Sequence, residues 1–137
     1  MSEHWFKAHI RDMDRQESLE HLKGYTVGRI IFDDDRGPTA LPVNYVVVGE
    51  DVLIATSPYG SIAHWTPGRQ VAFEIDDFDA ANETGWSVVV RGEAEVPAYA
   101  DLPDDNEHRP YPWAEGDRRF HVRVRTTDLT GRRLVPA

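Results

Sequence analysis

Short blocks of apolar residues, cut by turn residues, dominate the chain from Val27 onward, and each block has the length of a strand. Val27 to Phe32 is the first, ended by the acidic turn Asp33-Asp34-Asp35-Arg36-Gly37-Pro38. Thr39 to Val48 and Val52 to Thr56 are rich in β-branched residues, and Gly49-Glu50-Asp51 between them has the length of a hairpin connection. Val71 to Ile75, Ser87 to Val96 and Phe120 to Arg125 follow. Helical spacing is confined to two places. Asp14 and Glu17 have the spacing of a helix start, Leu19 and Leu22 share a face, and Gly24 supplies a stop. Ser61 to Trp65 is long enough for a turn or two of helix, closed by Thr66-Pro67-Gly68.

Six strands with short turns and two small helices predict a mainly β fold, a single antiparallel barrel with helices at its ends. At 137 residues the chain reads as one domain, with an N-terminal helical segment over 1–24 and the barrel over 25–134. Pro42 interrupts the second strand and marks an edge or a bulge, where backbone donors and acceptors stay free for another partner. Val46-Val47-Val48 and Val88-Val89-Val90 carry no alternation, so both of their faces need cover. A second copy of the chain would supply it, and a homodimer is expected. Residues 97–112 are polar and proline-rich and read as a surface excursion or a short helix.

Composition removes several function classes. The net charge of −9 opposes nucleic-acid phosphates, so no nucleic-acid partner is expected. No apolar run approaches the roughly 18 residues of a membrane span, and no membrane partner is expected. Without cysteine there is neither a disulfide framework nor thiolate chemistry, and the first residues lack the pattern of a secretion signal. The expected location is cytoplasmic. The six histidines are scattered, and none is spaced four residues from another with an acid between, so no metal site is expected. There is no dinucleotide fingerprint, no phosphate loop and no serine elbow. Arg123 and Arg125 alternate with Val122 and Val124, which reads as a solvated or salt-bridged strand face or as an anion-facing strand.

One segment carries positive chemistry. Thr56-Ser57-Pro58-Tyr59-Gly60-Ser61 brings hydroxyl groups from a strand end to a helix start, an arrangement that suits an anion or simply ends a strand and begins a helix. Any site is expected between this turn and Trp86, which opens Gly85-Trp86-Ser87-Val88-Val89-Val90-Arg91-Gly92; packing in the core or at a dimer interface is the other reading of that tryptophan.

Together with Val27 to Phe32, Leu41 to Val47 and Val71 to Asp76, these segments resemble, in order, the pyridoxamine 5′-phosphate oxidase-like flavoproteins, the FMN-binding split β-barrels. The likeness runs from about Leu19 to Leu134. It implies a six-stranded antiparallel split barrel and a two-fold dimer with FMN at the interface. Pro42, Val43, Asn44 and Tyr45 would lie along the ring. Thr56, Ser57 and Ser61 would hold the phosphate, and Trp86 and Ser87 would meet the flavin from another strand. Hydride transfer at flavin N5 would act on a small organic substrate, with no catalytic side chain required.

The chain departs from the family pattern at Ala55 and Ile62, where relatives carry basic residues beside the phosphate. That departure keeps two other readings open: a cofactor-free binding or regulatory dimer on the same fold, and a deazaflavin-dependent reductase. On this placement a lysine at position 62 is expected to tighten FMN binding.

Overall fold

The computed structural model describes residues 9–136. Its elements in order are β1 (His9–Met13), α1 (Arg15–Lys23), β2 (Val27–Asp34), β3 (Gly37–Val48), β4 (Asp51–Thr56), α2 (Ser61–Trp65), β5 (Gln70–Asp79), β6 (Thr84–Glu95), β7 (Phe120–Val124) and β8 (Asp128–Val135). All strand pairings are antiparallel, in the order β1-β8-β6-β5-β2-β3-β4-β7, and β6 also pairs with β7. That last pairing closes β6-β5-β2-β3-β4-β7 into the expected ring of six. β8 and β1 extend the sheet beyond it, so His9–Met13 is strand and not helix, and residues 1–8 of the expected helical segment lie outside the described residues.

Alternation along the strands builds one core. Ile30, Phe32, Val43, Tyr45, Val52, Ile54, Phe73, Ile75, Val88, Val90, Val122 and Val124 all point inward and are buried. Each contributes about 1.5 to 3 kcal/mol in side-chain burial if it is a Val, Leu, Ile or Phe. The triple valines divide: Val88 and Val90 are fully buried and Val89 is half-buried, whereas Val46, Val47 and Val48 are all half-buried. Arg123 and Arg125 take the salt-bridged reading. Glu95 lies 2.6 Å from the first and 3.0 Å from the second, and Asp51 lies 3.4 Å from Arg125.

β6 changes partners along its length, from β8 over Gly85 to Arg91 to β7 at Ala94 and Glu95. Gly92 sits at the changeover, where a Cβ would lie 1.7 Å from the Arg125 carbonyl oxygen. Only glycine lets the two backbones cross so closely.

α1 closes one end of the barrel. Asp14 Oδ1 accepts from the Glu17 amide at 2.8 Å, and Leu22 is fully buried. Gly24 ends the helix in right-handed geometry, its amide bonding to the His21 carbonyl. The Tyr45 hydroxyl donates to the Leu22 carbonyl at 2.5 Å, so the end of α1 is pinned to the C-terminal part of β3. Among the described residues, no helix is long and apolar enough to cross a membrane.

Candidate functional site

The barrel is split along β3. That strand pairs with β2 from Gly37 to Asn44, but with β4 only from Tyr45 to Val48. From Leu41 to Asn44 its second edge has no strand partner among the described residues. The Tyr45 amide donates to the Thr26 carbonyl at 3.0 Å, which makes those two opposed residues a hydrogen-bonded pair. Hydrogen-bonded and non-bonded pairs alternate in an antiparallel ladder. Asn44 and Pro42 are therefore non-bonded toward β2, and their main-chain groups point at the open edge. Pro42 costs the β2 ladder nothing, because its nitrogen faces the split. The sequence marked this position as an edge, and the register gives the reason.

A cavity of about 220 Å³ occupies the split. One wall is Leu41 to Asn44, and a second is the end of β4, Ala55 to Ser57. Gly60, Ser61 and Ile62 form the third. Ser57 shapes the turn there: its hydroxyl accepts from the Tyr59 amide at 3.2 Å and its carbonyl from the Gly60 amide at 3.3 Å. Gly60 is the N-cap of α2 and no side chain caps it, so Ser61 is an exposed first-turn residue and not a cap.

The connection between β6 and β7, residues 96–119, supplies the remaining wall through Pro112, Ala114 and Arg118. It contains short 3₁₀ turns at Tyr99–Asp101 and Asn106–His108 and crosses the outer face of β3. Among the described residues its hydrogen-bonded tie to the split is the Trp113 amide donating to Asn44 Oδ1 at 2.9 Å. β7 then pairs with β4, Thr56 opposite Phe120, which brings Arg118 to the end of β4. Asp117 is engaged by Arg119 through two contacts of 3.1 Å, which holds its carboxyl below the usual range. Arg118 donates from Nε to the Glu115 carbonyl at 3.3 Å. Among the described residues no carboxylate lies within ion-pair distance of it.

The structure gathers Pro42, Val43, Asn44, Thr56, Ser57, Ser61 and Ile62 at this cavity. Tyr45 belongs to the core: its ring meets Phe73 edge-on at 4.7 Å, and burial pushes its phenol well above the usual pKa. Trp86 and Ser87 lie elsewhere in the protomer. Trp86 packs on His21 at 4.4 Å and Tyr25 at 5.1 Å, beside a separate hollow that includes Arg133. A site spanning the hydroxyl turn and Trp86 is thus not formed within one chain. Ile62 lines the cavity yet is 5% exposed and part of the core, so a lysine there would carry its ammonium into apolar surroundings. This removes the simple expectation of tighter binding. Arg69 lies over the Trp65 ring at 5.7 Å and is not a lining residue. Arg118 is the residue that sequence reasoning passed over.

The family model described as pyridoxamine 5′-phosphate oxidase matches residues 14–133. An uncharacterized protein of Mycobacterium tuberculosis, Rv0080, is 30% identical over 131 residues, covering 92% of this chain and 86% of that one. Among solved structures, the FAD binding protein from Mycobacterium smegmatis is 31% identical with a TM-score of 0.69, covering 92% of this chain and 99% of that one. A conserved protein of unknown function from Corynebacterium diphtheriae, DIP1874, is 27% identical with a TM-score of 0.75, covering 92% and 98%. With the six-stranded ring, the split beside β3 and a match running from the cap of α1 into β8, this chain belongs to the pyridoxamine 5′-phosphate oxidase family.

Proposed function

We propose that the chain is a flavin-binding oxidoreductase whose cofactor lies along the split between β3 and β4. The observation that carries this reading is the outward-facing main chain of Pro42 and Asn44, set against a hydroxyl-lined end that holds Arg118. Free main-chain groups suit the polar edge of a planar heterocycle, and hydroxyls with an arginine suit its phosphate. The described donor set therefore fits a flavin nucleotide. FMN is the form implied by the family resemblance, and the Mycobacterium smegmatis protein named as FAD binding favours the larger nucleotide. Both share the ring and the ribityl phosphate.

The bound flavin would supply hydride transfer to or from a small organic substrate. The work of the chain is to hold, orient and screen. Pro42 and Asn44 position one edge, Thr56, Ser57 and Ser61 offer hydroxyls, and the 96–119 connection covers the outer side. A homodimer belongs to the same reading. The cavity of about 220 Å³ is below the roughly 300 to 1,000 Å³ of a pocket that encloses an organic ligand. A second copy would complete it, with Trp86 and Ser87 of the partner subunit as the candidates for the missing wall. The absence of cysteine suits work in the cytoplasm.

The test is to add FMN, FAD and deazaflavin separately to the protein and follow cofactor fluorescence and thermal unfolding. Quenching together with a raised Tm for FMN or FAD supports the proposal. A response to deazaflavin alone replaces it with the reductase reading, and no response to any of the three refutes it.

A further inference from the structure

The hydroxyl-lined end of the split has an uneven distribution of charge. Its barrel-borne lining is apolar or uncharged: Ala55 and Ile62 beside the hydroxyls of Thr56, Ser57 and Ser61. No carboxylate lines it among the described residues, and its one cationic side chain is Arg118. This arginine arrives from the connection between β6 and β7, and not from a strand or helix of the barrel.

The neighbouring acids do not consume its charge. Asp117 is held by Arg119, and Glu115 meets Arg118 through its carbonyl. With Nε so occupied, the two terminal nitrogens keep their donors. A guanidinium fork of this kind matches the oxygens of a phosphate, which a point charge matches less well.

We infer that Arg118 is the cation that holds a phosphate group at this end of the split, and that a bound phosphate ties the 96–119 connection to the barrel. On the flavin reading above, on which this assignment rests, the group is the ribityl phosphate shared by FMN and FAD. The barrel supplies hydroxyls and the connection supplies charge, so neither half holds the anion well alone. Among the described residues the Asn44–Trp113 hydrogen bond ties this connection to the split, and the phosphate adds a second tie at Arg118.

The experiment compares FMN, FAD, riboflavin and inorganic phosphate on the wild type, Arg118→Ala and Arg118→Lys. Riboflavin carries the ring and ribityl chain without phosphate and therefore reports the rest of the site. A charge-assisted contact corresponds to about a 10- to 100-fold change in Kd. The wild type should prefer FMN or FAD over riboflavin. Arg118→Ala should lose that preference by about this factor while riboflavin affinity stays level, and Arg118→Lys should fall between them. Hydrogen exchange should slow at residues 112–118 with FMN or FAD, and not with riboflavin.

Equal flavin affinities in wild type and Arg118→Ala would overturn the assignment while leaving the flavin reading intact. Binding of inorganic phosphate that depends on Arg118, without uptake of any flavin, would keep the anion site and remove the flavin. Failure to bind either class of ligand would overturn both.

Discussion

Removing the Asn44 side chain tests how the outer wall of the split is held. Asn44 Oδ1 accepts the Trp113 amide at 2.9 Å across 69 residues of sequence, in an exposed setting. Trp113 itself is 71% exposed, so packing contributes little to this junction. Such a bond has a net worth of about 0.5 to 1.5 kcal/mol. Asn44→Ala should therefore raise local opening of the wall about 2- to 13-fold, the factor that this energy gives at 25 °C. The global fold should register less, because the core does not include Asn44. A change of 1 kcal/mol corresponds to about 3 to 5 °C in Tm for a domain of this size. The assay is amide exchange resolved at Trp113 and its neighbours, alongside a thermal melt. Faster exchange confined to residues 110–118, with a Tm loss under about 5 °C, is expected. Unchanged exchange at Trp113 would show that the bond does not hold the wall, and a cooperative loss of the whole fold would show that Asn44 is a core residue.

Three further outcomes follow from contacts elsewhere in the molecule. Tyr45→Phe strands the Leu22 carbonyl and should cost about 1 to 3 kcal/mol in urea unfolding, leaving the m-value unchanged. Gly92→Ala forces a methyl to within 1.7 Å of the Arg125 carbonyl oxygen, so the chain should fail to fold or lose more than about 3 kcal/mol. Glu74 shares Arg29 with Asp76, at 2.7 Å and 3.1 Å, and burial and the Asp76 carboxylate push its pKa up to about 7 from the ordinary 4.5. The folded state thus binds this proton more tightly than the unfolded one. Its contribution is complete below pH 4.5 and is lost as pH rises through about 7. After allowance for solvent screening the loss is at most about 2 kcal/mol. Urea unfolding at several pH values should show this slope in the wild type and a flatter one in Glu74→Gln. Parallel slopes would remove Glu74 as the source.

The ring of strands was legible because its inward positions are β-branched or aromatic at strand spacing. The β3–β4 hairpin was legible because Gly49, at φ 65°, permits a two-residue turn. β1 was not legible. His-Ile-Arg-Asp-Met has four exposed positions and no alternation, since it is an edge strand hung on β8 and not part of the core. Pro42 announced an open edge, but only the pairing limits of β3 showed which way its main chain faces.

Trp86 shows the limit of reading a strand position without its face. It shares the inward side with Val88 and Val90 and ends under α1 beside His21, far from the hydroxyl turn in chain and in pairing. Arg118 sits in a polar, proline-rich connection with no periodicity, where sequence assigns no direction to a side chain. The register of Thr56 against Phe120 is what places it, and that register is a tertiary fact.

The absorption spectrum of the protein as purified decides whether the split carries a flavin. A flavin band in the visible, released as FMN or FAD on denaturation, is the predicted result. Colourless protein that stays colourless after incubation with both nucleotides and gel filtration would contradict the assignment of the split as a flavin site.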